Sequence, residues 1–118
     1  EDFASWDNMK MAQSAGYTLV KEGTYYRVTT YEFNPEKFDD MIAYADGVKE
    51  DVRKIEGLNF GHVCRTSENS ATIIAQYIDE EAMTNATPKF REIMGGMRQF
   101  FTSPPNPVEA EIIWKSHN

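Results

Sequence analysis

The sequence predicts one α+β domain whose elements follow the order β-α-β-β-α-β. Segments rich in β-branched and aromatic residues alternate with segments of helical periodicity. The second helical segment contains a restart signal at Thr87-Pro88, and the Pro-rich break at residues 104–107 separates it from a final strand-like run. A chain of 118 residues can form one domain with its own core. We assign residues 24–118 to this domain and residues 1–23 to an N-terminal extension.

The extension is predicted to contain a helix and a short strand. Phe3, Trp6 and Met9 fall on one helical stripe, and Tyr17–Val20 is strand-like. We interpret the extension as an arm that covers a sheet edge or reaches a partner subunit. It could also be the tail of a preceding repeat in a longer protein.

The first strand and helix of the domain are predicted from alternation and capping. Thr24–Phe33 alternates with period two, and Asn34-Pro35 supplies an N-cap followed by proline at the first helical position. The helix should end at Gly57. Its predicted core-facing stripe consists of Phe38, Met41, Ile42, Ala45, Val48, Val52 and Ile55.

The remaining elements form a hairpin, a broken helix and a closing strand. Leu58–Arg65 and Ala71–Ile78 are the hairpin strands, joined by the polar turn of residues 66–70. Thr87 is predicted to cap a restarted helix that runs to about Phe101, and residues 108–115 form the fourth strand. The predicted inward side of this helix consists of Phe90, Ile93, Met94, Met97 and Phe101.

This element order is the ferredoxin-like plan, in which helices cover one face of an antiparallel sheet. The second face then needs another cover. We expect Tyr31, Val63 and Ile113 on that open face, and we therefore expect a homodimer formed through it.

Composition excludes several classes of partner. A formal net charge of -7 with dispersed basic residues disfavours nucleic acid binding. No apolar run approaches the roughly 20 residues needed to span a membrane, so no membrane interaction is expected. The single cysteine, Cys64, excludes an internal disulfide, and we expect a cytoplasmic protein.

His62 is the predicted catalytic residue. Strict strand alternation places it on one face with Leu58, Phe60 and Cys64, and we expect that face to point into the cleft between sheet and helices. An imidazole can remove a proton from an acidic phenol or enol near neutral pH. The alternative is a histidine that only makes structural hydrogen bonds. For Cys64, packing is the simpler interpretation.

Several side chains are predicted to contact a small organic molecule in the cleft. Aromatic residues supply apolar surface and phenolic hydrogen bonds, although the same residues also suit an ordinary core or dimer seam. No spacing of ligands predicts a metal, and no Gly-rich loop predicts a phosphate, so we expect no cofactor. The predicted substrate-binding residues are Tyr26, Phe60, Asn85, Phe90, Arg91 and Trp114.

The order of four short motifs resembles the dimeric α/β-barrel superfamily, and within it the antibiotic-biosynthesis-monooxygenase-like (ABM) domains. These motifs are residues 34–38 after the first strand, the turn at residues 55–58, residues 77–82 entering the broken helix, and the restart at residues 87–90. The resemblance covers about residues 24–114. It implies a dimeric α/β barrel and a cofactor-independent monooxygenase acting on an aromatic or polyketide-like substrate, with His62 as base.

Two other functions remain open. Haem-degrading members of this superfamily carry a Trp before the restart and a His after it, but this chain has Thr84 or Asn85 and Met94 there. A non-catalytic binding or assembly domain could fill the cleft with its own Phe and Met side chains. An isomerase or decarboxylase could use the same cleft and the same base without oxygen.

Overall fold

A computed structural model describes residues 23–117 as a four-stranded antiparallel sheet with helices. The strands are β1 (Tyr25–Glu32), β2 (Leu58–Ser67), β3 (Ser70–Tyr77) and β4 (Asn106–Glu111). The helices are α1 (Phe38–Arg53), α2 (Glu80–Asn85) and α3 (Thr87–Met97), and short 3-10 turns at Pro35–Lys37 and Arg98–Phe100 flank α1 and α3. The sheet order β2-β3-β1-β4 confirms the predicted ferredoxin-like α+β fold. The predicted N-terminal helix and strand lie outside the described residues.

The start of α1 follows the predicted signal, whereas the helix ends at Arg53, before the predicted stop at Gly57. The Asn34 side-chain oxygen accepts a hydrogen bond of 3.0 Å from the Glu36 amide, with Pro35 opening the 3-10 turn that leads into the helix. After α1, Gly57 adopts φ +83°, a conformation that favours glycine. A Cβ at this position would also overlap the Ala82 side chain. Gly57 therefore permits both the turn and the close approach of α2.

The break between α2 and α3 differs in detail from the prediction. Asp79 caps α2 by accepting a 2.8 Å hydrogen bond from the Ala82 amide. Pro88 lacks the amide hydrogen that would continue one helix through residues 80–97. Thr87 was expected to be the N-cap of α3, but this was wrong: it is the first residue of the helix, and its hydroxyl donates to the Met83 carbonyl at 3.3 Å.

The helices cover one face of the sheet. On β1, Arg27, Thr29 and Tyr31 point toward the helices and are at most 3% exposed, whereas Tyr26 and Val28 lie on the opposite, open face. The core has two parts, one around Tyr31, Phe33, Met41, Ala71, Met97 and Phe100, and one around Ala75, Tyr77, Met83 and Ala86.

Three residues predicted on the open face do not lie there. Tyr31 is 3% exposed beneath the helices. Val63 pairs with Ile73, which packs against the Tyr31 core, so it also belongs to the helix-covered face. Ile113 lies beyond the end of β4, which is shorter than predicted, and is 91% exposed. The open face instead carries Tyr26, Val28, Phe60, Ile74, Val108 and Ala110.

Burial of Tyr31 predicts a specific loss of stability at alkaline pH. Burial raises the pKa of Tyr31 from 10.0 to about 12. The unfolded chain releases this proton near pH 10 and the folded chain only near pH 12, so the contribution is complete below pH 10 and is lost as pH rises to 12. We expect this residue to remove roughly 2–3 kcal/mol of unfolding free energy over that window.

The measurement is urea unfolding between pH 9 and pH 12. Tyr31→Phe removes the titrating group and only the hydroxyl contact to the Met41 sulfur at 3.4 Å. It should therefore show a shallower decline than the wild type. Equal slopes for the two proteins would contradict the assignment.

Candidate functional site

A β-bulge changes the face on which His62 lies. The pairing of β2 with β3 shifts between Leu58 and Phe60, so these two residues do not share a face as strict alternation predicted. Leu58 packs with Tyr77 beneath the helices, whereas His62 pairs with Ile74 on the open face. The expectation that His62 shares a strand face with Leu58 was therefore wrong, although His62 still borders the sheet-helix cleft at the edge of β2. Phe60 and Cys64 move to the open face with it.

Three predicted site residues meet on this open face. The rings of Phe60 and His62 stack with centroids 4.7 Å apart, and Tyr26 meets Phe60 edge-on at 6.4 Å. The Tyr26 hydroxyl accepts a 2.9 Å hydrogen bond from Gln76. These residues form an aromatic row across β1 and β2, on the far side of the sheet from α1 and α3.

The other four predicted residues are scattered. Phe90 lies on α3 with its ring 4.4 Å from the Arg27 guanidinium carbon. Asn85 ends α2 at the border of a wide surface concavity, and Arg91 is exposed on α3. Trp114 follows β4 and is 77% exposed. The structure does not bring these residues into one site.

The helix-covered face contains a cleft that is open at the β2 edge. It lies between α1, α3 and β2 and has a volume of about 510 Å³, within the range of small-molecule sites. The edge strand β2 borders it with several residues, among them Asn59, Gly61 and His62. Its apolar lining consists of Tyr44, Ala45, Val48, Val52, Leu58, Phe60, Val63, Ile73, Ile93, Met94 and Met97.

Tyr44 is the hydrogen-bonding group in the apolar wall of the cleft. Its hydroxyl donates to the Ile93 carbonyl at 2.8 Å and so links α1 to α3. A Cβ at Gly96 would overlap the Tyr44 hydroxyl, so this glycine makes room for the contact. Burial, reinforced by the negative charge of Glu92, raises the pKa of Tyr44. The phenol therefore stays neutral near pH 7, with its oxygen able to accept a further hydrogen bond.

Charged side chains stand at the mouth of the cleft. Asp46, Lys49 and Arg53 border it from the exposed side of α1. Arg53 pairs with Glu50 at 3.0 Å on the surface. The cleft thus combines an apolar interior with a polar entrance.

Arg27 is a buried cation that the sequence-based site missed. Its side chain is 2% exposed, and it donates to Thr87 at 2.8 Å and to the Met83 carbonyl at 3.2 Å. Glu109 on β4 provides the opposite charge at 3.5 Å. Since these contacts hold the first turn of α3 on the sheet, Arg27 positions the helix that supplies Ile93, Met94 and Met97 to the cleft.

Two kinds of feature are absent from the part of the chain that the structure describes. Within residues 23–117, no group of three or more His, Cys, Asp or Glu residues is arranged to hold a metal ion. None of the helices in that range is both long enough and apolar enough to cross a membrane.

The fold defines the class of protein: an α+β domain with the ferredoxin-like fold. Solved structures with this fold include the ActVA-Orf6 monooxygenase of Streptomyces coelicolor in complex with nanaomycin D (TM-score 0.67, 18% identity, covering 81% of this chain and 93% of that chain). A candidate antibiotic biosynthesis monooxygenase from Caulobacter crescentus matches with a TM-score of 0.66 and 16% identity, over 79% of this chain and 92% of that chain.

A third similar structure is a dimeric ferredoxin-like protein from an uncultured marine organism. It has a TM-score of 0.66 and 9% identity, and the match covers 82% of this chain and 94% of that chain. No family model and no curated protein matches the sequence. At these identities the similarity establishes the fold, which is the fold that the motif resemblance predicted.

Truncation of Arg27 should test its positioning role. Arg27→Ala removes several hydrogen bonds and leaves a cavity beneath α3, so we expect a loss of about 3–5 kcal/mol of unfolding free energy. Arg27→Met keeps most of the volume and should cost about half as much.

Urea unfolding of both variants provides the measurement, with Arg53→Ala as the control. Arg53 belongs to an exposed ion pair, so its loss should cost less than about 1 kcal/mol. A similar small cost for Arg27→Ala would show that α3 does not depend on the buried cation.

Proposed function

We propose that the protein binds a ring-bearing apolar small molecule in the cleft between α1, α3 and β2. The observation that carries this proposal is the cleft itself, which is open at the sheet edge and lined mainly by apolar side chains, with Tyr44 as a hydrogen-bonding group. The fold is also that of a monooxygenase whose structure contains nanaomycin D. An aromatic or polyketide-like molecule is therefore the proposed ligand class.

The proposed reaction is cofactor-independent monooxygenation. An electron-rich phenol or enol would lose a proton, and the resulting anion would transfer two electrons to O₂ and form a C–O bond, giving a hydroperoxide after protonation. Loss of a second proton from the same carbon would then break the O–O bond, leaving one oxygen atom as a carbonyl and releasing the other as water, so that the substrate supplies four electrons in total. In this reaction the substrate supplies the electrons, and the protein supplies binding, orientation and a route for the proton.

The structure bears on which residue could take that proton. The ring of His62 stacks on Phe60, its strand pairing directs it to the open face, and this exposed residue meets the cleft at the edge of β2. A catalytic role for His62 stays a prediction, and its position favours a structural or interface role. The raised pKa of Tyr44 makes that phenol a hydrogen-bond partner rather than a strong base at neutral pH.

The second candidate function is non-catalytic binding. The specific observation in its favour is that His62 pairs with Ile74 on the open face and is exposed at the edge of the cleft. A non-catalytic domain was also expected to fill its cleft with Phe90, but Phe90 packs over Arg27 instead. Met94 and Met97 line the cleft without closing it. An isomerase or decarboxylase would likewise need a base that reaches the cleft.

We further propose a homodimer formed through the open face. Among residues 23–117, no helix packs on this face, which carries an apolar set that includes Val28, Phe60, Ile74 and the half-exposed Val108. Burying such a face against a second copy removes apolar surface from water. The dimeric state named for one similar structure supports this arrangement.

A cytoplasmic location also remains part of the proposal, and the free thiol of Cys64 is compatible with a reducing compartment.

Filling the cleft should abolish ligand binding. Met94→Trp places a larger side chain against Tyr44 and Ile93, so an aromatic ligand should bind at least about tenfold more weakly, and Ala45→Phe should have the same effect from α1. The measurement is fluorescence titration with quinol- and anthrone-type compounds, followed by oxygen uptake for every compound that binds. Ile42→Trp, at a 39% exposed position on α1 outside the cleft lining, is the control.

His62→Ala separates the two candidate roles of this residue. If any compound is turned over, we expect the variant to retain turnover, because strand pairing directs the imidazole to the open face and His62 meets the cleft at its exposed edge. Abolished turnover with an intact dimer would restore His62 as the base. Undiminished ligand binding by both cleft-filling variants would contradict the binding site.

A charge in the centre of the open face should prevent dimerisation. Ile74 pairs with Val28 and His62 in the middle of the sheet. Ile74→Glu would bury a carboxylate at the seam, so we expect a monomer in light-scattering mass measurements. Ile42→Glu on α1 is the matched control and should remain dimeric. A monomeric wild type, or a dimeric Ile74→Glu variant, would refute the interface.

A further inference from the structure

We propose that the cleft selects ring-bearing ligands that carry one anionic group, and that Lys49 and Arg53 bind this group at the mouth. This inference rests on the proposed binding function and adds a chemical class to it. The ligand would be an aromatic carboxylate or a related acid, with its ring system inside the cleft.

The charge at the mouth opposes the charge of the whole chain. The protein has a formal net charge of -7, yet the charged residues that border the cleft are Asp46, Lys49 and Arg53, two cations against one carboxylate, and Glu50, which pairs with Arg53, lies outside the lining. Lys49 and Arg53 are four residues apart on α1 and therefore project on the same side of the helix. Two cations beside an apolar opening are complementary to an amphipathic anion.

Both cations retain hydrogen-bond donors that could bind a ligand. No carboxylate within residues 23–117 lies at ion-pair distance from Lys49. Arg53 uses one terminal nitrogen for Glu50, at 3.0 Å, and both of these side chains are more than 60% exposed. The remaining guanidinium donors can face a ligand.

The spacing along α1 fits one molecule that spans the cleft. Tyr44 and Lys49 are separated by about 7.5 Å of helix axis, and Tyr44 and Arg53 by about 13.5 Å, at a rise of 1.5 Å per residue. At 3.6 residues per turn the two cations also lie roughly 140° and 180° around the helix from Tyr44, on the opposite border of the cleft-facing stripe. A fused-ring ligand could donate a hydroxyl hydrogen bond to the Tyr44 oxygen at one end. Its anionic group would then reach the cations at the other end.

A second concavity on the molecule provides an internal comparison. This depression, of about 610 Å³, lies between the end of α1 and the α2-α3 break. Lys54 and Lys89 border it together with four carboxylates, Asp51, Glu56, Asp79 and Glu81. It therefore offers an anion no net attraction, and the preference is assigned to the cleft alone.

Two fluorescent naphthalene probes test the inference. Anilinonaphthalene sulfonate carries an anionic group, and phenylnaphthylamine is its neutral counterpart. The wild type should bind the anionic probe more tightly, and added salt should weaken only that probe. In Lys49→Gln/Arg53→Gln, affinity for the anionic probe should fall about five- to tenfold, as expected for two largely exposed contacts, while affinity for the neutral probe changes less than about twofold.

The control is the charge-matched variant Lys37→Gln/Arg98→Gln, whose two side chains are exposed and outside the cleft lining. It should bind both probes like the wild type. Circular dichroism and urea unfolding establish that each variant is folded, because unfolded chains also bind such dyes.

The possible failures are distinguishable. If neither probe binds, or if Met94→Trp leaves both affinities unchanged, the proposed binding function fails. If both probes bind in the cleft but neutralising Lys49 and Arg53 changes neither their ratio nor its salt dependence, only the anion preference is refuted. An equal loss in the Lys37/Arg98 variant would likewise refute it, because the effect would then follow from net charge.

Discussion

The cover of the sheet by helices on one face only is the constraint on which the rest of this structure depends. It divides the side chains of each strand into two sets. One set forms the core and the cleft, and the other is left on a face that carries Phe60, Ile74 and Val108. The surroundings of a strand residue therefore depend first on the face of the sheet to which it points. A shift of one position along the strand moves the residue to the other face.

The fold could be predicted from the sequence because its signals are local. Asn34-Pro35, Gly57 and Pro88 each act within a few residues, through a cap, a left-handed turn and a missing amide hydrogen. The face on which each β2 side chain lies could not be predicted in this way. The bulge between Leu58 and Phe60 is set by pairing with β3, and it reversed the predicted face of His62.

The site residues that were missed depend on contacts between distant segments. Arg27 resembles an ordinary strand residue until Thr87, 60 residues away, and Glu109 are brought beside it. Tyr44 falls beside the predicted apolar stripe of α1, and only the close passage of Gly96 lets its hydroxyl reach α3. The one available signal was the Gly95-Gly96 pair, since glycines within a helix often mark a close approach of another group.

The most direct test of the account uses the methionine methyl groups, which are distributed between cleft and core. Met94 and Met97 line the cleft, whereas Met83, at 1% exposure, lies in the core beside Tyr77. Methyl NMR spectra of methionine-labelled protein, recorded during titration with an aromatic acid, report where the ligand binds. We expect the Met94 and Met97 signals to shift progressively while the Met83 signal stays in place. Shifts that leave Met94 and Met97 unchanged would contradict a binding site between the sheet and the helices.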